Sequence, residues 1–179
     1  MALLLAGCSA RQAQDSLTGS TAQRLVSHGI DDIAAQLPER DFAAHAGQRM
    51  RLNSYFVADE ALRFYADRRL EIALARRFDI RTVPAGETAD FTLNVFYTSL
   101  GTNRDTKGFY LPLGYLPGLD QTTQIDLITL EQFHGVAELY YFVGPTGTER
   151  RGAVIQARTR TDAIGLPIIT IPVSDIRRD

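Results

Sequence analysis

The chain has no tryptophan, one cysteine, and one lysine among its 19 basic side chains. Each scarcity excludes something. A single cysteine, Cys8, allows no disulfide within the chain. A single lysine confines any chemistry that needs a buried amine to Lys107, in a glycine-rich stretch. Charge of one sign is lacking too: the formal net charge is −2, so there is no broad basic field to attract nucleic acid, and none is expected as a partner. After the first few residues no segment is apolar enough to cross a membrane as a helix, which takes about 20 apolar residues. Signatures of catalysis are also missing. The sequence carries no G-x-S-x-G elbow, phosphate-binding glycine loop, dinucleotide fingerprint or H-E-x-x-H pair. Its three histidines, His28, His45 and His134, fall in separate segments. His28 and Asp32 stand at i, i+4 on a polar helix face, where surface ion pairing is the ordinary outcome, whereas a zinc centre needs three or four protein ligands. The expectation is a protein that is not an enzyme, with no catalytic residues, no metal and no cofactor.

What is present fits one domain of 179 residues with an ordinary apolar share of 45%. Ala22, Leu25, Val26, Gly29, Ile30, Ile33 and Leu37 recur at helical spacing, with capping hydroxyls in Thr18–Thr21 and a stop at Pro38. Arg49 to Val57 reads as a strand with Met50, Leu52 and Phe56 on one face. Asp59 then caps a second helix from Glu60 to about Arg77, whose buried line is Leu62, Tyr65, Ala66, Leu70, Ala73 and Leu74. Asp79 to Val83 is a short strand. Ala89 to Leu100 alternates Phe91, Leu93, Val95 and Tyr97 with polar residues, as a strand does. Gln124 to Leu130, Val136 to Val143 and Arg151 to Thr161 read as further strands, the last two joined around Pro145–Thr148. The fold class expected is α+β, with two helices packed on one side of a mostly antiparallel sheet of five to six strands.

Two segments resist that scheme. Residues 101–123 are long for a loop and combine Phe109, Tyr110, Leu111, Leu113, Tyr115, Leu116 and Leu119 with Gly108, Gly114, Pro117 and Gly118. Long loops of this kind are commonly functional. If exposed, Phe109, Tyr110, Leu113, Tyr115, Leu116 and Leu119 form an apolar contact surface for a partner or ligand; otherwise they fold over the open sheet face and complete the core. The tail from 162 to 179, with its two prolines, is extended rather than helical, and it could add an edge strand or pair with a partner.

Leu5-Ala6-Gly7-Cys8, after an apolar run from Met1, resembles the lipobox of bacterial lipoproteins. That resemblance implies cleavage before Cys8 and acyl chains on it. Residues 1–7 are then the remnant of a signal whose basic head is not among them, and 8–19 a flexible tether to a domain at 20–161. Ser9 resembles the type sorted to the outer membrane. The helix pattern Tyr65-Ala66, Leu70, Ala73-Leu74, Phe78 and Ile80, followed by Ala89-Asp90-Phe91, is similar to the layout of periplasmic lipoprotein domains related to the curli secretion channel and the amino-terminal domain of TolB. The resemblance implies an envelope role within a larger assembly and transfers no catalytic residues. In the curli channel, inserted strands build a membrane barrel; here residues 101–123 read as too short and irregular for a long amphipathic hairpin. The function expected is an outer-membrane lipoprotein facing the periplasm. It would be held to the membrane through Cys8 and would bind or help assemble another envelope protein. The alternatives are a carrier of a small apolar ligand or lipid, and a hydrolase with a site assembled from distant residues.

Overall fold

The computed structural model describes residues 11–13, 19–56, 59–112, 124–166, 169–173 and 177–178. Within the stretch read as a tether, Arg11–Ala13 form a short strand, β1. The apolar stripe that follows is helix α1 (Ser20–Ala35), with Ala22, Leu25, Val26, Gly29, Ile30 and Ile33 buried, and Leu37 buried just beyond it. The expected hydroxyl cap is not made: Gly19, at φ 108°, holds the N-cap position without a side-chain bond. After Pro38 come a one-turn helix α2 (Glu39–Phe42) and a 3-10 turn (Ala43–His45), both too short to show a period. They bury Phe42 completely, 5.9 Å from the Phe78 ring and 5.5 Å from that of Tyr141.

Strand β2 (Arg49–Tyr55) leads to helix α3 (Glu60–Phe78). Asp59 caps α3 as its sequence position demands, its Oδ1 accepting from the backbone N–H groups of Ala61 and Leu62 at 2.9 and 3.1 Å. Ala66, Leu70, Leu74 and Phe78 are the buried line of α3. Tyr65, expected among them, is 37% exposed, because its neighbours on that flank are the polar residues of α1: its hydroxyl lies 3.4 Å from Asp31. Phe56 is a second correction. It leaves the strand at φ 83° and is 80% exposed, so only Met50 and Leu52 of the expected trio face the core.

The remaining strands are β3 (Arg81–Thr82), β4 (Phe91–Pro112), β5 (Gln124–Gly144), β6 (Arg150–Gly165), β7 (Thr170–Pro172) and β8 (Arg177–Arg178). Their order is β3-β2-β4-β5-β6-β7, with β1 beside β4 and β8 beside β6. The class is α+β, but the sheet is mixed rather than mostly antiparallel: β2 runs parallel to both β3 and β4, because α3 returns the chain to the end of the sheet from which β2 started. Both long helices lie on one face. Thr159 donates to the carbonyl of Leu25 in α1 at 2.8 Å, and Tyr97 donates to Asp67 of α3 at 2.8 Å. The tail supplies β7, paired with residues 163–165 of β6.

The largest departure concerns 101–123. Residues 101–112 are not loop: β4 continues through them and pairs with residues 124–136 of β5 in an unbroken antiparallel hairpin with one register shift, at Phe109/Tyr110. Gly101 and Gly108 interrupt the side-chain pattern without interrupting backbone pairing, which is why the sequence reads as irregular there. From 102 to 107 both faces carry polar side chains. Thr102, Arg104 and Thr106 point to the helix side, and Asn103, Asp105 and Lys107 to the other.

Candidate functional site

The sheet face away from the helices is built in three zones, set by register alone. Nearest β2, Tyr55, Phe96 and Tyr140 form a ladder across three strands, with ring centroids 4.8 and 4.9 Å apart and planes nearly parallel. Phe142 meets Phe96 and Tyr140 edge-on, and the Arg151 guanidinium lies 5.5 Å over the Tyr140 ring. These spacings are those of neighbouring strands, so the rings stand upright and lock the sheet laterally.

The middle zone is charged. Asp105, His134, Arg160 and Asp162 share this face, with His134 Nε2 3.5 Å from Asp105 and Arg160 forked onto Asp162 at 2.7 and 2.9 Å. Burial, aided by Arg158 and Arg160, holds the His134 imidazole below its ordinary range in spite of Asp105.

The third zone lies at the far end of this face, beyond the charged residues. Register places Leu130, Ile164 and Ile171 side by side across β5, β6 and β7, with Phe109 and Ile128 paired in the next row but one position outward. Phe109 is 64% exposed and Ile128 53%. Leu130, Ile171 and the nearby Leu166 and Ile169 are exposed as well. Of the residues expected to form a contact surface, Phe109 therefore stands on a strand and open to solvent, not folded into the core. Tyr110 continues the same strand, paired with Asp126. Leu113, Tyr115, Leu116 and Leu119 lie outside the described residues, as does Cys8.

The three histidines sit on separate elements. His28 is on α1, His134 on β5, and His45, in the 3-10 turn, stacks on Phe91 at 4.1 Å and bonds Gln48 at 2.9 Å. Among the described residues no group of three or more His, Cys, Asp or Glu side chains is placed to hold a metal ion. No described helix is long and apolar enough to cross a membrane.

One polar constellation escaped the sequence reading. Asp67 of α3 is half-buried between α3 and the sheet. Its two oxygens accept from the Tyr97 hydroxyl at 2.8 Å and the Ser54 hydroxyl at 2.7 Å. Burial pushes the Asp67 carboxyl up, and the two hydroxyl bonds only partly offset it. Tyr97 is fully buried, and its hydroxyl is pushed far above the ordinary tyrosine range, first by burial and then by Asp67. Asp67 borders a cavity of about 540 Å³ together with Leu52, Ser54, Glu60, Arg63 and Phe64. A second cavity, of about 370 Å³, continues along β2 between Arg68, Glu71 and residues 82–85. The visible hint was a polar residue at two inward strand positions, Ser54 next to Leu52 and the hydroxyl of Tyr97 next to Val95. Alternation alone marks those positions as core. A third cavity, of about 500 Å³, sits at the β5–β6 turn beside Arg40, His45, Arg150 and Arg151; its carboxylate, Asp41, is taken up by the Tyr141 hydroxyl at 2.6 Å.

No protein-family model, no curated protein and no solved structure matches this chain.

Proposed function

We propose that the chain is an outer-membrane lipoprotein facing the periplasm, a non-enzymatic module that binds or helps assemble another envelope protein through the far end of the β4–β5 hairpin. The observation that carries this reading is the row of exposed apolar side chains there. Phe109, Ile128, Leu130 and Ile171 stand on paired strands on the sheet face turned away from the helices, so this chain's own helices do not bury them. Contiguous exposed apolar surface of that kind marks interaction sites, and aromatic residues are enriched at the centres of interfaces. The lipobox-like Leu5–Cys8 supplies the address. An acylated Cys8 raises the local concentration at the membrane, so a modest intrinsic affinity suffices.

The test is cross-linking in cells that express the gene with its upstream sequence, comparing wild type, Cys8→Ala and the double variant Phe109→Ser/Ile128→Ser. A defined envelope protein should be captured by wild type, captured less without the anchor, and lost in the double variant while the protein level stays constant. Capture unaffected by both changes would overturn the reading.

A further inference from the structure

Beside α3, the sheet ends in an edge that is only partly paired. β3 accompanies β2 at Arg49 and Met50, and among the described residues no strand pairs with that side of β2 from Arg51 to Tyr55. Parity shows which backbone groups this leaves. On the β3 side, the carbonyls of Gln48 and Met50 accept from Arg81 and Val83 at 3.0 and 2.9 Å, whereas the carbonyl of Arg49 turns the other way and accepts from Asp90 at 2.8 Å. Successive residues of a parallel strand alternate in this way. The N–H and C=O groups of Leu52 and Ser54 therefore point outward, in line with those of Met50.

The space they point into is bounded on its other side by α3. Glu60, Arg63, Phe64, Asp67, Arg68 and Glu71 recur at i, i+3, i+4, i+7, i+8 and i+11, one stripe of that helix, and they border the two cavities that run along β2. The cavities share Leu52 and Asn53, so they form one groove between a strand edge and a helix. Each falls in the ordinary size range of binding clefts.

The charges along the stripe are not equivalent. Glu71 is paired with Arg68 at 2.7 Å and Glu60 with Arg63 at 3.9 Å. Asp67 lies between them, held by two neutral hydroxyls, and among the described residues no cation reaches it within salt-bridge distance. Arg63 acts on it only weakly and from farther off. A half-buried carboxylate without a cation is the group in this groove that gains most from an incoming positive charge.

We propose that this groove takes an extended peptide from another chain as an added strand along Leu52 and Ser54, with a lysine or arginine side chain of the peptide received by Asp67. Backbone pairing to a free sheet edge supplies affinity without regard to sequence, and alternate side chains of the added strand meet the helix and supply selectivity. The surface is separate from the hairpin end, and the proposal does not rest on the membrane anchor.

The experiment uses the purified full chain and a blocked peptide of alternating valine and threonine with one central lysine, followed by backbone amide resonances at millimolar peptide. The expected result is a shift of the Leu52 and Ser54 amides and slower hydrogen exchange at both. Methylating alternate peptide nitrogens, which removes the donors that would pair with β2, should weaken binding about tenfold. Replacing the lysine by norleucine should weaken binding to wild type several-fold and leave binding to Asp67→Asn unchanged, a coupling that loss of fold would not produce. Because the methylated and norleucine peptides are compared on the unaltered protein, the test stands even if Asp67→Asn fails to fold. Shifts that miss Leu52 and Ser54, equal binding of the methylated peptide, or equal binding of lysine and norleucine peptides by wild type would each overturn the proposal.

Discussion

Asp67 costs the fold something, and Tyr97 is the reason it is there. A fully buried tyrosine hydroxyl needs an acceptor, and α3 delivers one. Because burial holds the Asp67 carboxyl above the usual range, the folded chain keeps its proton more tightly than the unfolded chain. Folding takes up a proton between the two values, so stability falls as pH rises through that window, and the cost is fully present above it. Asp67→Asn keeps an acceptor for Tyr97 and never ionises. Its unfolding midpoint in urea should equal that of wild type or lie below it at acid pH, then gain on wild type as pH rises towards neutral; parallel curves would contradict this account. Gly135 gives a second prediction at the same scale. A Cβ there would lie 2.5 Å from the Leu25 carbonyl and 2.5 Å from Thr159 Oγ1, whereas one on Gly101 meets nothing within 4 Å. Gly135→Ala should therefore cost about 1–3 kcal/mol in urea unfolding, from overpacking against backbone that cannot move aside, and Gly101→Ala should cost far less. Neither Asp67 nor Gly135 stands out in the sequence. What distinguishes them is a helix brought close from far along the chain, and local spacing carries no trace of that.

At the scale of elements, periodicity served where an element packs one face and failed where it packs none. The buried stripe of α1 and the capped start of α3 were legible because their apolar and capping residues answer to a single neighbouring surface. Residues 101–112 were not, because both faces of that part of β4 carry polar side chains and what keeps it a strand is pairing with β5, which leaves no mark on the spacing. The same blindness applied to α2, where Phe42 is the one buried residue of the element. Phe42→Ala should cost about 3–5 kcal/mol, since the fully buried ring packs between Phe78 and Tyr141. By contrast, Phe109→Ser/Ile128→Ser should change stability by no more than about 0.5 kcal/mol per site, as for exposed positions generally. Thermal unfolding of both variants checks the division of labour: a large loss in the hairpin variant would mean that the far end belongs to the core after all.

At the scale of the molecule, the sheet does two jobs along its length. Its near half is covered by α1 and α3 on one face and carries the aromatic ladder on the other, β8 pairs beside the contact of Thr159 with α1, and the farther part is paired with β1 and β7. This division of the sheet was the part of the candidate site least visible beforehand, since it depends on strand register across distant segments, which local spacing does not record. It also sets a length. At roughly 3.3 Å per residue, the 22 residues of β4 extend about 70 Å, and the stretch from Gly101 to Pro112 accounts for roughly 40 Å of it. A flexible linker of the same number of residues would average only about 20 Å between its ends and would point in every direction. If the proposed partner docks at Phe109, the paired strands act as a ruler: they hold that contact at a set distance and bearing from the helices, and a partner too near or too far along that line would be refused by geometry before any side chain is consulted.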